Sequence, residues 1–255
     1  MTGGLAHEIK NPLSTVGLNA QLLSEGISEL GVSDEEKGRL VRRVQSLRRE
    51  VERLRGILTD FLEFAGELRL ERRPADLNAV VGELVDFFLP QAERAGVRLR
   101  ADLDPDPLVA AVDASHLKQA LLNLMLNATQ AMAPSPERSG QNAELIVKTT
   151  RRRVEGRRTE AQIHVIDTGP GMSAEVIGRI FTPYFTTKSG GTGLGLPTAR
   201  RIVEAHEGRL DVYSEPGKGT DFCISLTLAA PDAAGASARP QRERVAAVAD
   251  VTSPR

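Results

Sequence analysis

The sequence has a single cysteine and almost no net charge, and each scarcity excludes a class of protein. With Cys223 alone, the chain can form no internal disulfide and offers no cysteine cluster for a structural zinc. Cys223 is instead expected to fill space in a strand. Lysine plus arginine number 33 against 34 for aspartate plus glutamate, so no overall field attracts nucleic acid or an anionic lipid surface. Neither partner is therefore expected.

Long hydrophobic runs are also missing. No apolar stretch approaches the roughly 20 residues of a membrane-spanning helix, and the first residues lack the charged and then apolar pattern of a signal peptide. We therefore expect a cytoplasmic chain without direct membrane insertion, although a longer parent protein could be membrane-anchored. The 255 residues, 40% of them hydrophobic, suit two domains with real cores.

A heptad pattern predicts one long helix. Seven apolar residues between Leu40 and Phe61 follow one another in steps of four and three, with charged residues between them. Ser33 and Glu36 have the spacing of a capping box, which predicts where this helix begins.

A second amphipathic stretch, from Leu5 to Ile27, precedes the long helix, and the two predict a helical hairpin. Pro12 interrupts this stretch, either as a kink without function or as a bend that serves the site. Two such helices cannot bury both apolar stripes against each other alone. We therefore expect two chains to form a four-helix bundle, that is, a homodimer through residues 1–66.

After Gly66 the heptads stop, and short strands and helices predict a second, α/β domain over residues 67–228. The expected elements are helices capped by Asp76 and Asp113, strands over 97–103, 144–153, 160–167 and 222–228, a basic hairpin tip over 151–158, and a helix over 192–206 stopped by Gly208. Residues 229–255 lack sustained periodicity and are expected to form a disordered tail.

His7 is the candidate nucleophile. It lies two positions from both Leu5 and Ile9, about 200° around a helix from each, so it points away from the apolar seam. Glu8 follows directly and could accept the other ring proton, leaving one nitrogen free to attack. Asn11, one turn later on the same face, could position a water or a phosphoryl oxygen.

The glycine-rich fragments do not fit the common nucleotide motifs. No GxxxxGK[ST] is present, and neither glycine-rich stretch fits GxGxxG after a strand. Asn123 and Asn127, four apart on a predicted helix, instead place two amide oxygens on one face as ligands for a hard cation such as Mg²⁺. Asp167 ends a strand before TGPGM, and its outward-facing carboxylate could accept a hydrogen bond from an adenine amino group.

Residues 181–188, FTPYFTTK, and the following GGTGLGL predict a mobile lid. Two phenylalanines would anchor this loop and Lys188 suits a phosphate. The glycines open a helix whose backbone amides would meet a triphosphate.

Two sets of motifs carry a family resemblance. HEIKNPL ahead of a heptad helix resembles the dimerisation and phosphoacceptor domain of sensor histidine kinases. NLMLNA, DTGPGM, FTPYF and GTGLGL resemble, in order and spacing, the N, G1, F and G2 boxes of the ATP-binding superfamily that these kinases share with gyrase and MutL. The resemblance covers about residues 4–228 and implies an α+β fold: a helical-hairpin dimerisation domain followed by an α/β sandwich of the GHKL (Bergerat) type. FTPYFTTK is most similar to the nitrogen-regulation branch.

The resemblance implies a role for each matched position. His7 would be autophosphorylated, with Glu8 as its general base, and Asn11 would support dephosphorylation of the partner. Asn127 would bind Mg²⁺, with Asn123 nearby, and Asp167 would bind the adenine amine. The other implied ATP-binding positions are Gly169, Gly171, Phe181, Lys188, Gly191, Thr192, Gly193, Leu194 and Gly195.

The implied function is a two-component sensor histidine kinase that phosphorylates His7 from ATP and passes the phosphoryl group to an aspartate of a response regulator receiver domain, with phosphatase activity as well. An ATP-driven machine like gyrase or MutL would share the boxes but lack the histidine. A pseudokinase serving as a dimeric interaction module would have a broken box, and all four are intact. Only six residues precede His7, so we expect a chain trimmed from a longer kinase, or a start assigned too late, rather than a short bundle.

Overall fold

The computed structural model describes residues 15–23, 25–27, 33–133, 143–154, 159–188 and 191–229. Residues 15–23 and 25–27 are helical and form the N-terminal helical segment. The helices that follow are α1 (Asp34–Ala65), α2 (Leu77–Arg94), α3 (Ala114–Ala131), α4 (Ala174–Ile177) and α5 (Gly195–Ala205). The strands are β1 (Arg73–Asp76), β2 (Arg98–Asp102), β3 (Val109–Val112), β4 (Glu144–Arg153), β5 (Thr159–Asp167), β6 (Arg209–Glu215) and β7 (Gly219–Thr227).

The long helix α1 begins where the capping box predicts. The Ser33 hydroxyl accepts a hydrogen bond from the Glu36 amide at 3.4 Å and donates one to the Glu36 carboxylate at 3.1 Å. The first turn also carries Asp34 and Glu35, whose negative charges suit the positive end of the helix dipole. Local sequence therefore defines the start of α1.

The N-terminal helical segment packs on α1 through small and apolar residues. A Cβ built on Gly17 would lie 3.8 Å from Val51 Cγ1, so the two helices approach closely at that level. Ala20, Ile27 and Val51 are buried there. The other half of the heptad seam stays exposed: Leu47, Leu54 and Phe61 keep 51%, 44% and 40% of their surface. The described part of the N-terminal helical segment thus covers only part of the apolar stripe of α1.

The remaining helices lie against a five-stranded sheet of order β2-β4-β5-β7-β6. Strand β2 pairs with β4 in parallel, and the other pairs are antiparallel. Helices α2, α3 and α5 share one hydrophobic core with β4, β5 and β7. Strands β1 and β3 form a separate two-stranded sheet. The predicted α+β fold is confirmed; the division at residues 66 and 228 stays a prediction.

Three strands are absent from the sequence prediction. Strands β1, β3 and β6 are not predicted, because two of them are only four residues long and all three lack a simple alternation of apolar side chains. Strand β4 has the bounds of the predicted strand over 144–153, so Arg151–Arg153, which the predicted hairpin tip also included, pair with Thr159–Ala161 of β5. Residues 155–158 and the predicted tail from 230 onward lie outside the described residues. Cys223 is buried in β7, as expected.

The last helix, α5, begins at Gly195 rather than at Thr192, and Gly208 does not supply its left-handed terminal residue. Glu207 has that conformation, with φ of 61°. Gly208 is needed for close packing instead: a Cβ there would lie 2.7 Å from Leu226 Cδ2 and 2.8 Å from the Ser225 carbonyl oxygen. The glycine lets the chain after α5 pass directly against β7.

None of the helices in the described part of the chain combines the length and apolar composition that a membrane-spanning helix needs.

Two glycine substitutions should have opposite effects on stability. Gly208→Ala should lower the free energy of unfolding by about 1–3 kcal/mol, because the added methyl overlaps a backbone oxygen of β7. Gly82→Ala, inside α2 with no described atom within 4 Å of the new Cβ, should raise it by about 0.5–1 kcal/mol. Urea unfolding followed by circular dichroism checks both, and equal effects would contradict the close approach at Gly208.

Candidate nucleotide site

A cleft of about 510 Å³ lies between α3, the end of β5 and the segment leading into α5. Its volume falls in the range of small-molecule pockets. It brings together ten of the twelve predicted ATP-binding positions: Asn123, Asn127, Asp167, Gly171, Lys188, Gly191, Thr192, Gly193, Leu194 and Gly195. The other two predicted positions, Gly169 and Phe181, are described but do not line the cleft.

Helix α3 presents the two asparagines to the cleft. Its opposite side is fully buried through Leu124, Met125 and Ala128, so its orientation is fixed by the core. The helix starts at Asp113, whose Oδ1 accepts hydrogen bonds from the Ser115 and His116 amides at 3.1 Å.

The Asp113 cap is held as a carboxylate. Burial acts to raise the pKa of this carboxyl, but hydrogen bonds from the Glu71 and His116 amides outweigh it and lower the pKa to about 2. The cap therefore stays charged at neutral pH and suits the positive end of α3.

Asp167 lies at the floor of the cleft, with only 3% of its surface exposed. It is less exposed than the sequence predicts because the last residue of β5 still pairs with Leu145 of β4 and Thr220 of β7. Its Oδ1 accepts a hydrogen bond from the Gly169 amide at 2.7 Å. Gly169 thus acts through Asp167, since a Cβ at this glycine would lie 2.4 Å from the same oxygen.

Lys188 reaches across the cleft to α3. Its ammonium donates to Asn127 Oδ1 at 2.6 Å and to the Asn127 carbonyl oxygen at 2.8 Å. Burial lowers the pKa of Lys188 to about 8, while the Asp167 carboxylate acts in the opposite direction. Two oxygens of Asn127 therefore already bind a cationic group. Neutral amide and carbonyl oxygens are ligands that suit Mg²⁺, so this position fits that ion.

The two halves of the predicted lid are tied together by backbone. The Tyr184 amide donates to the Gly193 carbonyl at 3.1 Å, and both residues have positive φ, 65° and 69°. A Cβ at Gly193 would lie 2.5 Å from the Tyr184 carbonyl carbon, so only glycine allows this contact. Gly193 is therefore needed for the lid to fold, in addition to lining the cleft.

The two phenylalanines of FTPYF differ in position. Phe185 lines the cleft, and the Arg179 guanidinium lies 4.3 Å from its ring centre. Phe181 packs on the core away from the cleft, with Arg200 5.1 Å from its ring centre. Both are half-buried, so both hold the loop, but only Phe185 could touch a ligand.

Helix α5 points its amino end at the cleft. Its first residue, Gly195, belongs to the lining, and the side chain of its N-cap residue, Leu194, makes no capping hydrogen bond. The first backbone amides of a helix have no partner within the helix and carry partial positive charge. This end of the cleft is therefore suited to anionic groups.

Several lining residues were not predicted, among them Asp60, Thr198 and Thr220. Thr220 enters because it pairs with Asp167 across the sheet, and Asp60 enters from α1. Strand pairing and the docking of α1 join residues far apart in sequence, and no local motif marks them.

The proposed phosphoacceptor residues His7, Glu8 and Asn11 lie outside the described residues. Their roles stay predictions, as do those of the individual cleft residues.

Comparison with known proteins identifies the family. The family model described as "His Kinase A (phospho-acceptor) domain" matches residues 1–66. The model described as "Histidine kinase-, DNA gyrase B-, and HSP90-like ATPase" matches residues 112–230. The chain belongs to the sensor histidine kinase family. The match to a phosphoacceptor domain argues against a gyrase-like machine, which would share only the ATPase part.

Individual relatives agree with this assignment. Sensor histidine kinase ZraS of Klebsiella oxytoca is 35% identical over 228 residues, which are 89% of this chain and 46% of the relative. The chain thus spans about half the length of the curated relatives it matches. A structure of full-length ShkA in complex with AMPPNP is 25% identical with a TM-score of 0.66 and covers 90% of this chain and 46% of that one.

A second structure is that of histidine kinase ThkA in complex with the response regulator protein TrrA. It is 25% identical with a TM-score of 0.59, over 90% of this chain and 61% of that one. Membership in the nitrogen-regulation branch is not tested by these matches and stays a prediction.

The buried position of Lys188 predicts a pH effect on stability. Because its pKa is about 8 in the folded chain and 10.5 ordinarily, the unfolded chain binds the proton more tightly between these values. The free energy of unfolding of the parent, relative to Lys188→Met, should therefore rise as the pH increases from 8 to 10.5. Urea unfolding across this window measures it.

Lys218→Met, which removes an exposed lysine, controls for the loss of one positive charge. A difference between parent and Lys188→Met that stays constant over the window would contradict burial of the ammonium.

Proposed function

We propose that the chain is an ATP-dependent protein histidine kinase that phosphorylates His7 and transfers the phosphoryl group to an aspartate of a response regulator. One observation carries the proposal. A single cleft gathers two asparagines, a buried aspartate, a lysine and the amino end of a helix in a chain that also contains a phosphoacceptor domain.

The adenine would bind at the Asp167 end of the cleft. A buried carboxylate is a strong acceptor for an exocyclic amino group, and Thr220 on the neighbouring strand adds a hydroxyl at the same level. Met172, Val176 and Ile180 supply apolar surface for the base. Asp167 would thereby favour a base with an amino group, because such a base adds a hydrogen bond to the carboxylate.

The phosphates would bind between α3 and the start of α5. Asn127 would hold Mg²⁺, with Asn123 one turn earlier on the same face, and the ion would neutralise charge on the phosphates. Lys188 lies against Asn127 and could pair with a phosphate oxygen after a small movement of its side chain. Backbone amides at Gly193 and Gly195 add uncharged donors.

At the nucleophile, a ring nitrogen of His7 would form a bond to the γ-phosphorus while the bond from that phosphorus to the bridging oxygen breaks and ADP leaves. Glu8 would accept the proton from the other ring nitrogen. A carboxylate oxygen of the response regulator would then attack the same phosphorus and free the imidazole. Asn11 would support the later hydrolysis of the partner's phosphoaspartate.

The exposed half of the heptad seam supports a homodimer. Leu47, Leu54 and Phe61 recur at seven-residue spacing on α1, and the N-terminal helical segment also exposes Leu18 and Leu22. A second hairpin would bury both stripes in a four-helix bundle.

The kinase proposal is tested with γ-labelled ATP and Mg²⁺. The parent should incorporate label that is lost in acid and kept in base, as a phosphoramidate is, and His7→Gln should incorporate none. His164→Gln, which removes a histidine outside the cleft lining, is the matched control and should label like the parent. Asn127→Ala should lower labelling by about 100-fold, the order of loss for a displaced group that aligns and neutralises the phosphates. Labelling that survives in His7→Gln would refute the proposal.

The dimer is tested by sedimentation of the full chain. Leu47→Asp with Leu54→Asp should convert dimer to monomer, because two charges would be buried without partners in the bundle. Phe87→Asp makes a similar change at an exposed residue of α2 and should leave the mass unchanged. A parent that sediments as a monomer, or a double variant that remains a dimer, would count against the bundle.

A further inference from the structure

The nucleotide cleft is not built by the ATP-binding domain alone, because α1 contributes Asp60 to its lining. This aspartate lies between the seam residues Leu58 and Phe61, five residues before the end of α1. It is half-buried rather than solvent-exposed like most charged residues of that helix.

Asp60 holds the lid through a hydrogen bond. The Thr192 hydroxyl donates to Asp60 Oδ2 at 2.7 Å, and the same hydroxyl accepts from the Leu194 amide at 3.4 Å. Leu194 is the N-cap residue of α5. A continuous path of hydrogen bonds therefore runs from a carboxylate of the helical hairpin to the start of the helix that faces the cleft.

A second contact fixes α1 in the same place. The Arg201 guanidinium, on α5, donates to the carbonyl oxygens of Phe64 and of Gly66, the latter at 2.6 Å. The last turn of α1 carries no basic residue, so Arg201 supplies the positive charge that its carboxyl end favours. Two contacts near the carboxyl end of α1 thus hold it alongside α5, and the Asp60 contact is the one next to the lid.

The charge of Asp60 has the wrong sign for a cleft that takes phosphates. A carboxylate and a phosphate favour the same surroundings, namely the Thr192 hydroxyl and the positive end of α5. Two like charges also repel, and more strongly in a cleft than in open water. Asp60 and the phosphates therefore compete for one place.

We infer that Asp60 is a residue of the nucleotide site supplied by the helical hairpin, which ties α1 to Thr192 of the lid and gives way when phosphate groups bind. The inference rests on the proposed function, because it needs a phosphorylated nucleotide as the ligand. Its consequence is a coupling between nucleotide binding and the docking of α1. By linkage the coupling acts in both directions, so movement of α1 also changes nucleotide affinity.

Asp60→Asn tests the inference, because it removes the charge and keeps an oxygen that can accept from Thr192. In calorimetric titration of the full chain, ATP affinity should rise about fivefold or more, the lower end of usual coupling between sites. ADP should gain less and adenosine nothing, since the effect follows phosphate charge. Added salt should reduce the gain, because dissolved ions weaken the repulsion between Asp60 and the phosphates.

Glu52→Gln removes a carboxylate from α1 two turns earlier, outside the cleft lining, and should leave all three affinities at the parent values. Hydrogen exchange gives an independent readout. ATP should speed the exchange of amides in the last two turns of α1 in the parent, and this response should be smaller in Asp60→Asn, which has no charge to repel the phosphates.

The possible outcomes distinguish failure of the inference from failure of the proposed function. An Asp60→Asn variant that binds ATP no more tightly than the parent, or gains equally for adenosine, would overturn the inference while the kinase function stands. Exchange of α1 that does not respond to ATP would overturn the coupling. A parent that binds none of the three ligands would overturn the proposed function and the inference with it.

Discussion

The backbone around Asp167 is packed so tightly that a side chain cannot be fitted at the glycines that surround it. A Cβ at Gly219 would lie 1.9 Å from the Asp167 carbonyl oxygen, and one at Gly171 would lie 1.9 Å from the Glu215 carbonyl oxygen. Both glycines have positive φ, 89° and 66°, which L side chains rarely adopt. These contacts close the loop after β5 against β6 and β7. The floor of the cleft, the burial of the aspartate and the position of its carboxylate all depend on them.

On the opposite wall, the contact of Lys188 with Asn127 places a positive group where the motifs predict a metal ion. The lysine has lost much of its contact with water, which is why its pKa falls, and it gains two short hydrogen bonds in return. The oxygens that accept from this ammonium are neutral. They favour a cation over an anion, although Asn127 carries no charge. The two oxygens of Asn127 that bind Lys188 are the same ones that the proposed metal ion would use.

The parts of the fold that could be predicted are those written in short stretches of sequence. The caps at Ser33, Asp76 and Asp113 bind amides two or three residues away, so composition and spacing are enough to find them. The ATP motifs could also be found because each is a short run of sequence, although distant contacts at Gly171 and Gly219 set the position of Asp167. Thr220 and Asp60 could not be found this way, since they join the cleft through strand register and helix docking.

Gly208 shows a related limit. The sequence correctly marks a glycine after α5, but the reason is not the left-handed turn that usually ends a helix. Glu207 takes that conformation, and Gly208 makes room for Leu226 and Ser225 of β7. A glycine in a sequence indicates that a side chain is absent. It does not say whether the backbone angle or a neighbour requires the absence.

The way α1 ends has a mechanical meaning. Helix ends normally find partners for their last carbonyls in water or in the residues that follow. Here two of those carbonyl oxygens, at Phe64 and Gly66, bind an arginine that belongs to the other half of the molecule. The length of α1 therefore depends on whether the helical part and the ATP-binding part stay in contact. If the two parts separate, the last turn of α1 loses Arg201 as a partner and can unwind into the segment that leads to β1. A rotation there would then also lengthen the link between the two parts.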